Sequence, residues 1–66
     1  MILIDELKGI IVSKGLTQKD VANKLDMTPK TFYSKMKLGV FGSDEIENMI
    51  KLLDIKNPEY IFFNFK

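Results

Sequence analysis

The chain has 66 residues, of which 45% are apolar, 29% charged and 11% aromatic, and its formal net charge is +1. These figures describe one small domain over residues 1–66, too short to enclose an active site together with its own scaffold, and a domain of this size buries only about 60% of the surface its unfolded chain exposes. With neither cysteine nor histidine in the chain, disulfides, thiolate metal sites and the commonest general base are excluded, so no enzyme, metal or cofactor is expected.

No apolar run approaches the roughly 18 residues of a membrane span, and the opening Met1-Ile2-Leu3-Ile4-Asp5-Glu6 carries an acidic pair where an export signal would be basic. The expected location is the cytoplasm. Over residues 3–12, Leu3, Leu7, Ile10 and Ile11 recur at the spacing of an amphipathic helix, and Lys14-Gly15 closes it. A second helix opens at Thr17, with Asp20 in the capping-box position. Its apolar positions are Val21, Ala22 and Leu25, and it stops at Asp26-Met27.

Thr28-Pro29 is a sharper start, with a hydroxyl at the cap and a proline at the first helical position. The third helix then runs from Lys30 to about Lys37 and ends near Leu38-Gly39. In the following turn, Gly39-Val40-Phe41-Gly42, Phe41 is expected to plug the core. Ser43-Asp44-Glu45 opens a fourth helix whose stripe is Ile46, Met49, Ile50 and Leu53. Asn57-Pro58 offers one more start. The tail, 58–66, reads equally as a closing helical turn or as an extended segment. The expected fold is all-α, a bundle of four to five short helices with a helix-turn-helix at its centre.

Charge is unevenly placed. From Lys14 to Lys37 six lysines face two aspartates, a balance of +4, while the remainder holds four lysines against seven acids, a balance of −3. A basic surface on an acidic body suits a phosphate-backbone partner, although any single lysine can equally be an ordinary solvated one. All ten cationic side chains are lysine, so the rigid fork that arginine brings to phosphate or guanine is missing.

The informative stretch is TQKDVANKLDMTPKTFYSKMK, residues 17–37. Two short helices separated by a brief turn, the second better capped, make the pattern in which the second helix enters the DNA major groove. At about 100° per residue, Lys30, Ser34 and Lys37 fall in one arc of the third helix with Tyr33 at its edge, while Phe32 and Met36 lie opposite. Such a helix can dock on a core and still offer polar reach to base edges.

This stretch resembles the Cro and lambda-repressor-like helix-turn-helix family. The resemblance rests on Gln18 at the head of the first motif helix, Ala22 four residues on, and apolar Val21, Leu25, Met27 and Phe32. It continues through Met36, Phe41, the acidic helix from Ser43 and the Pro-Glu-Tyr-Ile-Phe-Phe ending, which is similar to small phage Cro-like regulators of Gram-positive hosts. Two positions depart from the pattern. Asp26 stands where the family usually has glycine and where φ is often positive, which aspartate tolerates better than most residues. Lys35 occupies a position that is often apolar.

The resemblance implies a sequence-specific regulator, a phage or prophage Cro-like repressor acting on double-stranded operator DNA. Lys30, Tyr33, Ser34 and Lys37 are expected to face the groove, and Thr28 and Pro29 to present the N-terminus of the third helix to a phosphate or base edge. Gln18 and Lys19 are expected to hold the backbone, with Lys14 and Lys35 as lesser phosphate candidates. One such motif reads few base pairs, so a homodimer is expected. The aromatic tail (Tyr60, Ile61, Phe62, Phe63 and Phe65) would supply its interface unless it folds back over the first and fourth helices, and Met49 and Leu52 are further candidates. The alternative is a protein-interaction module, an antirepressor-like or antitoxin-like adaptor on the same scaffold.

Overall fold

Among the described residues, capping chemistry sets off five helices: α1 (Ile4–Ser13), α2 (Gln18–Lys24), α3 (Pro29–Leu38), α4 (Ser43–Leu53) and α5 (Pro58–Phe62). The computed structural model describes residues 2–63, among which there is no strand. The expected all-helical bundle is therefore observed.

Two of the helices open on a side-chain cap, and a third has a side chain of its first turn bonded back to the cap residue. At α2 the Thr17 hydroxyl accepts the Asp20 N–H at 3.1 Å, and the Asp20 carboxylate accepts the Thr17 N–H at 2.9 Å, closing the capping box. At α3 the Thr28 hydroxyl accepts the Thr31 N–H at 3.2 Å and Pro29 fills the first helical position. At α4 it is Glu45 that reaches back, its carboxylate accepting the Gly42 N–H at 2.8 Å. Asn57 provides no side-chain cap for α5, whose position is fixed instead by the Leu3 N–H donating to the Ile61 carbonyl at 2.9 Å.

The first four helices end in one repeated way. A left-handed residue follows each of them, namely Gly15 (φ 74°), Asp26 (φ 59°), Gly39 (φ 72°) and Asp54 (φ 51°). The next residue then donates its N–H back to a carbonyl five positions earlier: Leu16 to Ile11, Met27 to Ala22, Val40 to Lys35 and Ile55 to Ile50. This closure satisfies carbonyls that a helix end leaves without partners. It also aims the following apolar residue: Ile55 is buried and Leu16 and Met27 are partly buried, whereas Val40 stays exposed. Asp26 and Asp54 hold a conformation that costs an L-residue energy which glycine does not incur. Asp26→Gly should therefore raise stability, by up to about 1 kcal/mol once the entropy glycine adds to the unfolded chain is deducted. A urea titration that found the variant less stable than the parent would contradict this account of the turn.

The core is apolar: Leu7, Ile11, Val21, Ala22, Phe32, Met36, Phe41, Met49, Leu53, Ile55, Ile61 and Phe62 are buried, and among the described residues no buried polar side chain accompanies them. Each helix contributes two of these, four residues apart in α1, α3 and α4 and adjacent in α2 and α5, and the Phe32 and Phe41 rings meet at 5.5 Å between centroids, so Phe41 does plug the core from the α3–α4 corner. α2 packs on α3, and α1 packs against α2 and α5. Two expectations need correction. Met49 is completely buried and is unavailable for a subunit contact, because it lies on the inner side of the α4 stripe. The tail is neither wholly exposed nor wholly folded back: Ile61 and Phe62 are in the core while Tyr60 and Phe63 are about half exposed. The reason is that residues 58–62 are helical, which sends neighbouring side chains in different directions. Phe65 lies outside the described residues.

Candidate nucleic-acid interface

α3 is amphipathic in the sense its sequence requires. Phe32 and Met36 are buried, while Lys30, Thr31, Tyr33, Ser34, Lys37 and Leu38 are exposed. Lys30, Ser34 and Lys37 share the outer arc, and Tyr33, 47% exposed, flanks it. Tyr33 therefore belongs to the surface. The exposed ridge follows directly from anchoring: two bulky residues four apart commit one side of a ten-residue helix, and the opposite side has no partner.

The first turn of α3 is organised by two threonines. The Thr28 hydroxyl accepts the Thr31 N–H and donates its own proton to the Thr31 hydroxyl oxygen at 2.9 Å. The Thr28 and Thr31 hydroxyls are thereby paired, and both side chains are exposed beside the ridge. Thr31 was not among the residues expected at this surface; the signal for it is its position three residues after a threonine cap. Pro29 is partly buried and serves the helix start.

α2 lies against α3 with Lys19 exposed and Gln18 partly exposed at its head. Asp20 sits in the same turn. The Thr17 backbone N–H, and after it the Thr17 hydroxyl, hold the Asp20 carboxyl below its usual range. The negative end-group that an open helix N-terminus would attract is thus already supplied from within, and what Gln18 and Lys19 offer an external anion is their side chains.

The two lesser phosphate candidates each have an acidic neighbour. Lys35 is half-buried, and its ammonium lies 2.9 Å from Oε1 and 2.6 Å from Oε2 of Glu45 on α4. Lys14 lines a surface hollow with Asp54 and Lys56 near the end of α4, where its charge helps Lys56 to hold the Asp54 carboxyl below its usual range. Lys35 falls on the inward-turning flank of α3 because it follows Ser34 by about 100°, which carries it toward the α4 corner.

The Glu45 carboxyl is held below the usual glutamate range, chiefly by the hydrogen bonds from Lys35; partial burial opposes them, and the Gly42 N–H and the Lys35 charge add to the lowering. A carboxylate whose pKa is depressed on folding contributes stability that is fully present above its unfolded pKa, about 4.3 for glutamate. That contribution is lost as pH falls through the lower folded value. The urea midpoint should accordingly decline on acidification below that range, and Glu45→Gln should flatten part of the decline. An identical pH profile for the variant would show that the pair does not couple to folding.

Among the described residues there is no group of histidine, cysteine, aspartate or glutamate suited to hold a metal ion, and no helix is long and apolar enough to cross a membrane. The molecule is thus an all-helical domain in which α2 and α3 are arranged as a helix-turn-helix, with the second helix turned outward. Comparison with protein-family models, with curated proteins and with solved structures gives no match.

Proposed function

We propose that this chain is a sequence-specific DNA-binding transcriptional regulator of the Cro-like type, a phage or prophage repressor that docks α3 in the major groove of operator DNA. One observation carries the reading: the outward face of the second helix in the helix-turn-helix is a continuous polar ridge of Lys30, Tyr33, Ser34 and Lys37, while its other face is fixed in the core by Phe32 and Met36. Lysine and serine at these positions suit the acceptor atoms of base edges, and an outward tyrosine suits a thymine methyl or a phosphate. Lys19, Gln18 and Thr31 flank the ridge and fit backbone phosphates, which set register without reading sequence. A cytoplasmic regulator of this kind acts by occluding a promoter.

Selection of bound sites from a random DNA pool tests the proposal. The expected result is one enriched motif, repeated as an inverted pair with centres about one helical turn, roughly 34 Å, apart. Enrichment no better than background would remove the reading. The inverted pair follows from a homodimer, for which Tyr60 and Phe63, half exposed on α5 and at its end, supply the apolar surface. Sedimentation equilibrium should then show mass rising with concentration, and Tyr60→Ser with Phe63→Ser should hold the chain monomeric; a constant monomer mass for the parent would exclude this interface.

A second reading rests on Leu38 and Val40, which are 75% and 64% exposed at the α3–α4 corner. These residues suit a protein-interaction module that binds an apolar partner surface. Salt separates the two readings, because phosphate contacts release counterions and affinity for DNA falls steeply with ionic strength, whereas an apolar contact is largely indifferent to it.

A further inference from the structure

Lys35 differs from the other lysines of α3. Lys30 and Lys37 are exposed, whereas Lys35 is gripped by both oxygens of one carboxylate, 2.9 Å from Oε1 and 2.6 Å from Oε2 of Glu45. Oε1 of the same carboxylate accepts the Gly42 N–H at 2.8 Å. One side chain thereby ties together the last turns of α3, the corner that follows it and the first turn of α4. Exposed ion pairs are individually weak and exchange freely with water, and Lys56–Asp54, with side chains 81% and 69% exposed, is of that kind. The Lys35 and Glu45 side chains are only 33% and 25% exposed, and a backbone contact gives their pair a third point of attachment.

A lysine beside a DNA-reading ridge is normally a phosphate ligand. Lys35 stands next to Ser34 around α3, within the swing of its own four-carbon stem, yet its ammonium is directed to α4. We propose that Glu45 is a positioning residue for DNA recognition, which withholds Lys35 from the phosphate backbone and seats the C-terminal end of α3 against the α4 corner. The cations presented on the reading face are then Lys30 and Lys37 alone. The inference rests on the DNA-binding reading above. Its physical consequence is distinct: a freed Lys35 would add one phosphate contact of the sequence-independent sort, raising affinity for any DNA.

The test measures the affinity of the full chain for a mixed-sequence DNA duplex across a series of sodium chloride concentrations. Glu45→Gln keeps an acceptor for the Gly42 N–H but loosens the grip on Lys35, and it should steepen the slope of log affinity against log salt by about 0.9. Glu45→Asp, one methylene shorter and unchanged in charge, should move the slope the same way, and it serves if the glutamine variant does not fold. Lys35→Met breaks the same pair without freeing a cation, so it should lower the unfolding midpoint as Glu45→Gln does while leaving the salt slope at the parent value. Glu47→Gln removes an exposed carboxylate two residues on and should change neither. An unchanged slope for both Glu45 variants overturns the inference, as does an equal steepening for Glu47→Gln or a shallower slope for Lys35→Met. If the parent chain binds DNA with a steep salt dependence in those cases, the DNA reading stands without this refinement; if the parent does not bind at all, both fall.

Discussion

Phe32→Ala is expected to leave much of the chain unfolded at room temperature. Phe32 is completely buried, and replacing a buried phenylalanine by alanine removes about 3–5 kcal/mol through lost transfer energy and an unfilled cavity. Its ring also meets Phe41 at 5.5 Å with a 52° tilt, and losing that aromatic pair places the cost toward the upper part of the range. Against that stands the stability open to a chain of this length, about 3–10 kcal/mol at 0.05–0.15 kcal/mol per residue. The site has little means of collapsing, because Phe32 anchors α3 while Phe41 anchors the corner that leads into α4. Circular dichroism during a urea titration should show the native baseline shortened or absent for Phe32→Ala. Phe32→Leu, which keeps most of the volume, should retain a cooperative transition. A loss below about 1 kcal/mol for the alanine variant would mean that α3 is held by something other than this pair.

How much of this could be read from the sequence depends on how far apart the interacting residues lie. Thr17 with Asp20, Thr28 with Pro29, and Gly15 all act within a few residues of themselves, and each takes the expected role. Asp26 is the more telling case. The resemblance puts it where the helix-turn-helix family usually has glycine and φ is often positive, and it adopts φ 59°. Asp54 does the same at the end of α4 with φ 51°, and Asp54-Ile55 repeats the Asp26-Met27 pattern, so the signal was present but easily passed over. Burial of Phe41 followed from one aromatic residue set between two glycines.

What the sequence withheld was contact across distance. Glu45 reads locally as an acid favoured at a helix N-terminus, and nothing local pairs it with Lys35 ten positions earlier. The hydrogen bond from Leu3 to Ile61 joins opposite ends of the chain, and with it goes the division of the tail into buried Ile61 and Phe62 and exposed Tyr60 and Phe63. Thr31 shows a subtler limit. Thr28 is legible as a cap, but the pairing of its hydroxyl with that of Thr31 is a side-chain contact that only the folded turn forms.

Two lysines one helix apart should respond to alanine substitution in opposite fashions. Lys30 stands in the outer arc of α3 and is placed for a base edge, so Lys30→Ala should cost about 1–3 kcal/mol on the preferred site, roughly 5- to 160-fold in affinity. The loss should shrink when the base pair it reads is changed, because the parent then also lacks that contact. Lys19 is exposed at the head of α2, where the proposed docking brings it phosphate and no base. Lys19→Ala should weaken binding to every sequence by a similar factor and make the salt slope shallower by about one. The ratio between preferred and mixed-sequence DNA is therefore the decisive quantity: it falls for Lys30→Ala and holds for Lys19→Ala. A uniform loss for both variants would mean that α3 touches only the backbone, and that any sequence preference arises from the shape of the DNA or from a neighbouring subunit. A ratio that falls only for Lys19→Ala would mean that the two helices exchange roles, with the exposed ridge of α3 turned away from the groove.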